Sequence, residues 1–326
     1  MSFAVRVASK LATLENPAAG ERAEIAVDKG FNCYHWSIRG GEVDLLYADP
    51  QFLAGSSPTR TGIPILFPFP NRIRDGKYVW DGKTYELPIN DPAKKNAIHG
   101  FACRRPWHVV DQGVAANAAW VTGEFHGLRD AADCRDLWPA DYRLRITYRL
   151  MPGRLRCEIA LHNPDLGPLP FGIGFHHYFS VGDPQECTVE VPAEEFWELL
   201  ECLPTGKRWS VTGVRDLRSR QPFDKLQLDD VLTGLPGKAD AEGLCLRGIV
   251  RRRDGVNSHG VKVEMHASPV FRETVVFTPP HRQAFCIEPY TCVTDAINLQ
   301  QQGMDAGWLV LGPGHDWSAV VEMRAS

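Results

Sequence analysis

The sequence predicts an all-β chain folded as one large antiparallel β-sandwich, and three observations carry that reading. Apolar and polar residues alternate with a period of two in many short runs. Glycine and proline, 29 and 24 in number, punctuate the whole length. No run keeps a helical period beyond about 12 residues. The strands are too many for a small barrel, and neither a repeat nor a low-complexity linker divides the chain. Residues 1–326 are therefore expected to form a single domain.

Taken in chain order, strand-like runs begin with AEIAVD, CYHWSIRG and VDLLYA. In KYVWDGKTYEL the DG pair between two short pieces reads as a hairpin turn. It is no phosphate loop, because five residues separate Gly76 from Gly82 where that loop needs four. After AAWVTGEFH comes YRLRITYRL, which puts Tyr142, Leu144, Ile146, Tyr148 and Leu150 on one face and Arg143, Arg145, Thr147 and Arg149 on the other. RLRCEIALH repeats the pattern through Leu155, Cys157, Ile159 and Leu161, and the MPG between the two runs predicts an antiparallel hairpin. ECTVEVP, VKVEMHA, TVVFTP, FCIEPY and SAVVEMRA complete the set. The arginines Arg251 to Arg253 precede DGVNSHG and read as a solvated turn.

Composition narrows the function. Of 326 residues 44% are hydrophobic and 23% charged, enough for a substantial core, and a net charge of -4 argues against a nucleic-acid binder. Nine cysteines, an odd number with no Cys-x-x-Cys pair, sit mostly in apolar runs and fit reduced thiols in a cytoplasmic setting. GIPILFPFP, the longest apolar run, is short and broken by prolines, so no membrane partner and no signal peptide are expected. Signatures of dinucleotide binding, zinc proteases and nucleophile elbows are missing. His176 and His177 are adjacent and so have the wrong parity for a shared metal, and no metal or other cofactor is expected.

Polar residues set in apolar sequence remain at four places. Arg72 follows Asn71 in FPFPNRIRDG, where a surface turn is the plain alternative. His99 lies in KNAIHGF, where a satisfied core histidine is the alternative. FGIGFHHYF carries His176 and His177, of which strand alternation lets only one face a pocket. Glu288 sits in FCIEPYTCV, either in a structural ion pair, as an outward edge residue beside Pro289, or as a buried carboxylate raised toward the range of a general base. Together with a histidine in an equally apolar strand, it reads as half of an acid/base pair.

The ordered strings GIPILFPFPNRIRDGKYVWDGKTYELPINDPAKKNAIHGF, FHHYFSV, LDDVLTGL and CIEPYTCVTDAINL span about residues 60 to 300 and resemble the aldose 1-epimerase, or galactose mutarotase-like, family. The resemblance implies a galactose mutarotase-like supersandwich acting on a free sugar without cofactor. It implies His176 as catalytic acid, with His177 the variable position, and Glu288 as catalytic base. Arg72, His99 and Asp230 would be the sugar contacts, Asp229 standing next to the last.

The two catalytic groups are expected on opposite sides of the sugar, with only modest pKa shifts. The small-molecule partner would be a sugar or sugar phosphate and the protein a monomer or homodimer. Phe175 before the histidine and the Glu-Pro-Tyr-Thr segment depart from the galactose enzymes and resemble the branch that includes hexose-6-phosphate 1-epimerases, for which Arg74 is a candidate phosphate contact. A non-catalytic carbohydrate-binding module is the alternative from another class.

Overall fold

The computed structural model describes residues 3–253 and 260–326. Their strands form three large sheets in which every pairing is antiparallel, with three two-stranded ribbons beside them. One sheet has nine strands and runs from His108–Ala115 at one edge, through Arg143–Met151, Arg154–His162 and Asp316–Ala325, to Gln221–Pro222 at the other. A second has eight strands and includes Asp229–Thr233, Glu273–Phe277 and Ala284–Tyr290 as consecutive neighbours. Five N-terminal strands from Ala4 to Asp44 make the third. The expected all-β antiparallel architecture is what the chain adopts.

Local chemistry explains the pieces that matter. The hairpin expected around MPG pairs Ile146 with Ile159, Tyr148 with Cys157 and Leu150 with Leu155, and all six side chains are buried. In the DG turn both Asp81 (φ 47°) and Gly82 (φ 73°) take left-handed backbone, the geometry that matches the twist of two paired strands.

The arginine run differs from its expectation. Arg251 and Arg252 end the strand Cys245–Arg252, so that Arg251 pairs with Glu190 while Arg252, 6% exposed, donates to Ser180 Oγ at 2.6 Å and to the Asp44 carbonyl. Alternation simply continues past the apolar residues, and a long side chain can bury its stem once its head finds oxygen acceptors. The DGVNSH that follows lies outside the described residues.

The strand Ala284–Tyr290 positions the site. It is an interior strand, paired on one side with Glu273–Phe277 and on the other with Gly174–Phe175 and His177–Ser180, so the edge placement considered for Glu288 does not occur. Ile287 opposite His177 and Phe285 opposite Phe179 face the main apolar core or its border, whereas Cys286 opposite Tyr178 belongs to the other face, which Glu288 and Tyr290 share.

Candidate active site

Over that second face lies a cavity of about 590 Å³, within the range of small-ligand sites. His176 and Glu288 form its floor, Arg72, His99 and Asp229 stand in its wall, and Arg60 is at its rim. His176 falls at the short break between the strands Gly174–Phe175 and His177–Ser180, with its backbone N–H donated to the Pro64 carbonyl at 3.0 Å. Its ring stacks on Tyr178 with centroids 4.5 Å apart and planes 8° apart. Tyr178 is itself fixed by its hydroxyl, which donates to the Thr59 carbonyl at 2.8 Å. His177, 1% exposed, turns to the opposite face and packs near Phe175 and Phe179.

His176 Nδ1 lies 3.3 Å from Glu288 Oε1, although its N–H is not aimed well enough to satisfy it. Glu288 Oε2 accepts from the Tyr290 hydroxyl at 2.5 Å. Burial dominates the protonation of both groups. It holds His176 down at about 3, helped by the neighbouring His177, and pushes Glu288 well above the usual carboxylate range against the opposing pull of Tyr290 and Arg72. These shifts are large where modest ones were expected, and each favours the uncharged form. The two groups also sit side by side, not on opposite sides of a ligand.

The part of the wall that carries Arg72 and His99 is one short ribbon. Arg72–Ile73 pairs with Ala97–Ile98, and His99 follows with left-handed backbone (φ 68°), its N–H donated to the Asn71 carbonyl at 2.8 Å. Gly100 must be glycine here: at φ 61° a Cβ would come 2.2 Å from the Phe67 carbonyl oxygen. Arg72 is oriented by Asp91 at 2.7 Å and Asn71 at 3.1 Å. His99 is driven well below its ordinary value chiefly by burial, with its neighbours His176, Arg104 and Arg72 acting in the same sense, so it is neutral.

Two of the expected contacts need correction. Asp230 does not line the cavity: it pairs in register with Val276, beside Ile287 on the core face, and its carboxylate takes Arg215 Nε at 2.7 Å. Its neighbour Asp229, in register with Phe277, is the aspartate in the cavity wall. Arg74 does not line the cavity either, since it leans on Asp295 at 3.5 Å and is half exposed. Tyr290 and Arg60 were not singled out from sequence. Tyr290 could have been, because it shares the parity of Glu288, whereas nothing local marks Arg60.

Among the described residues, His176, Cys286 and Glu288 are the one group of three His, Cys, Asp or Glu side chains close enough to share a cation, their ligand atoms lying within 4.8 Å of one another. Burial and the nearby Glu288 push the Cys286 thiol far up. No helix among the described residues is long and apolar enough to cross a membrane.

Comparison with known proteins supplies an independent view. The family model described as aldose 1-epimerase matches residues 21–324. The uncharacterised protein YphB of Escherichia coli K12 is 26% identical over 302 residues, covering 88% of this chain and 93% of that one. A second uncharacterised protein of that organism, YihR, is 29% identical over 140 residues, so that the match spans 42% of either chain. Among solved structures, a galactose mutarotase-like protein from Clostridium acetobutylicum superposes with a TM-score of 0.85 at 23% identity, covering 99% of this chain and 98% of that one. Galactose 1-epimerase from Lactobacillus acidophilus gives 0.76 at 16% identity, with 99% and 98% covered. At these identities the two structures speak to the fold alone.

Proposed function

Since the chain belongs to the aldose 1-epimerase family, a family of isomerases acting on small sugars, we propose that it interconverts the α and β anomers of a hexose. One observation carries the mechanism: a buried imidazole and a buried carboxyl group stand 3.3 Å apart on the floor of a sugar-sized cavity. Glu288 Oε1 takes the proton of the anomeric hydroxyl, and His176 gives one to the ring oxygen. As the C1–O bond of the ring breaks, the anomeric oxygen becomes the aldehyde oxygen. The aldehyde turns about its bond to C2, and the reverse transfers close the other anomer. Both reacting oxygens are bound to one carbon, so two neighbouring groups can serve them.

Arg72, His99 and Asp229 hold the remaining hydroxyls. Neutral His99 offers one ring donor and one acceptor, and Asp229 accepts only. The apolar cluster that runs through all three large sheets supports reading residues 1–326 as one domain. Glu288→Gln and His176→Asn, assayed by polarimetry on fresh α-glucose and α-galactose, test the assignment. Variants that fold and keep full activity would sink it. A carbohydrate-binding module would have no need of this pair.

A second reading, a phosphorylated hexose, is favoured by a specific observation. Arg60 lines the cavity rim, and no carboxylate pairs with it among the described residues. A rate on glucose 6-phosphate well above that on glucose, lost in Arg60→Ser, would select this reading.

A further inference from the structure

Tyr290 is a buried phenol to which the proton transfers above assign no task. It follows Glu288 by two residues on one strand, so both side chains leave the same face. Its hydroxyl donates to Glu288 Oε2 at 2.5 Å, a short hydrogen bond that favours the ionised form of the carboxyl group against burial. The other oxygen, Oε1, is the one near His176. The ring has a seat made for it: a Cβ built on Gly174 would come 2.3 Å from Tyr290 Cδ1. Gly174 is thus required for space, and the second glycine of FGIGFHHYF belongs to the site.

We propose that Tyr290 is a positioning residue that holds Glu288 as a carboxylate through Oε2 and reserves Oε1 for proton exchange, with Gly174 as the space that admits its ring. This rests on Glu288 being the base. The groups that face Glu288 are His176 and Tyr178 from the neighbouring segment, Cys286 and Tyr290 from its own strand, Asp229 from two strands away in the same sheet, and Arg72 and His99 from the wall. Of these, Tyr290 alone donates a hydrogen bond to the carboxylate among the described residues.

The consequence follows from counting protons. His176 and Glu288 together hold one exchangeable proton, on the carboxyl when both are neutral or on the imidazole when both are charged. Burial favours the neutral arrangement. The phenol favours the charged one, which is the form that reacts. Removing it lowers the share of reactive pairs at every pH on the plateau and makes the pair harder to deprotonate at its alkaline end.

The test uses the full chain with Tyr290→Phe. Hydrogen bonds to charged groups imply a ten- to hundredfold fall in kcat/KM, about one to two pH units in free-energy terms. The Glu288 carboxyl titration, followed by carbon-13 NMR with the δ-carbon labelled and assigned against Glu288→Gln, should move up by that same amount. Replacing Tyr290 with 3-fluorotyrosine, a stronger donor of nearly the same shape, should move it down, and this second variant serves if Tyr290→Phe does not fold. An unmoved titration in the variant that folds, with Glu288→Gln inactive, overturns the role of Tyr290 and leaves the base assignment standing. A moved titration with Glu288→Gln fully active overturns the base assignment and retains the hold of Tyr290 on the carboxylate.

Discussion

Replacing His177 by Asn should make the fold markedly less sensitive to acid while leaving most of the epimerase activity intact. His177 is 1% exposed, and burial holds it at about 3, against 6.5 for a free side chain. A histidine with a depressed folded value stabilises the fold fully above the unfolded value, and that contribution is lost as pH falls from 6.5 toward 3. Over that window each pH unit costs about 1.4 kcal/mol per such histidine, so His177 accounts for roughly 2 kcal/mol between pH 6.5 and 5. His176 and His99 act in the same sense, whereas Glu273, pushed up to about 7 chiefly by burial, and Glu288 act in the opposite one. The net slope of the parent protein therefore identifies no single group, but the difference between parent and His177→Asn isolates one. Urea unfolding followed by tryptophan fluorescence at pH 7, 6 and 5 measures it. The cavity left by the smaller side chain is a constant offset that cancels from the slope. Equal slopes in the two proteins would refute the argument that His177 is held neutral by burial.

Glu288→Gln and His176→Asn should each lower kcat/KM by about 10²- to 10⁴-fold, the usual worth of a proton-transfer partner, with circular dichroism melts showing that the fold survives. Asp229→Ala should weaken sugar binding in calorimetry by at least about tenfold if one charged hydrogen bond is lost. Asp230→Ala should leave binding in place and lower Tm instead, because it removes a buried side chain and its ion pair with Arg215; the opposite pattern would return the sugar contact to Asp230. Gly100→Ala should give little folded protein by size-exclusion chromatography, since its Cβ meets backbone and His99 precedes it.

Periodicity made much of the fold legible, because a half-buried strand has to alternate. The hairpin around MPG and the DG turn could be placed from local residues alone. Alternation also put His176 and His177 on opposite faces, the resemblance chose His176 for the pocket, and the structure has Phe175, His177 and Phe179 on one parity with His176 and Tyr178 on the other. The same logic could not choose between Asp229 and Asp230. In LDDVLTGL both parities carry apolar residues: Leu228 and Leu232 follow Asp230 into the core, while Val231 follows Asp229 into a second apolar cluster. Only the register with Phe277 and Val276 decides it. Arg74 was misplaced for a related reason. The turn Arg74–Gly76 breaks the alternation after Arg72, so counting two residues on no longer returns to the same face. The buried end of the arginine run depended on acceptors more than 70 residues away in sequence, beyond the reach of any local pattern.

For the proposed pair of His176 and Glu288, burial looks at first like a defect in an acid/base site, since it drives both groups away from the forms that exchange protons. Proton counting removes the difficulty. A base and an acid that titrated independently would each have to carry net charge into a low-dielectric floor, at a cost of several kcal/mol per ion. His176 and Glu288 share one proton 3.3 Å apart, so moving it between them leaves the net charge of the floor unchanged. Ring opening likewise takes one proton from the anomeric oxygen and returns one to the ring oxygen. What burial penalises is the second proton on the pair and the loss of the last one, which moves the first failure toward acid and the second toward alkali. In the proposed mechanism burial thus widens the pH range over which the pair holds its single proton, and the hydrogen bond from Tyr290 would set how often that proton rests on the imidazole, where it could be given to the sugar.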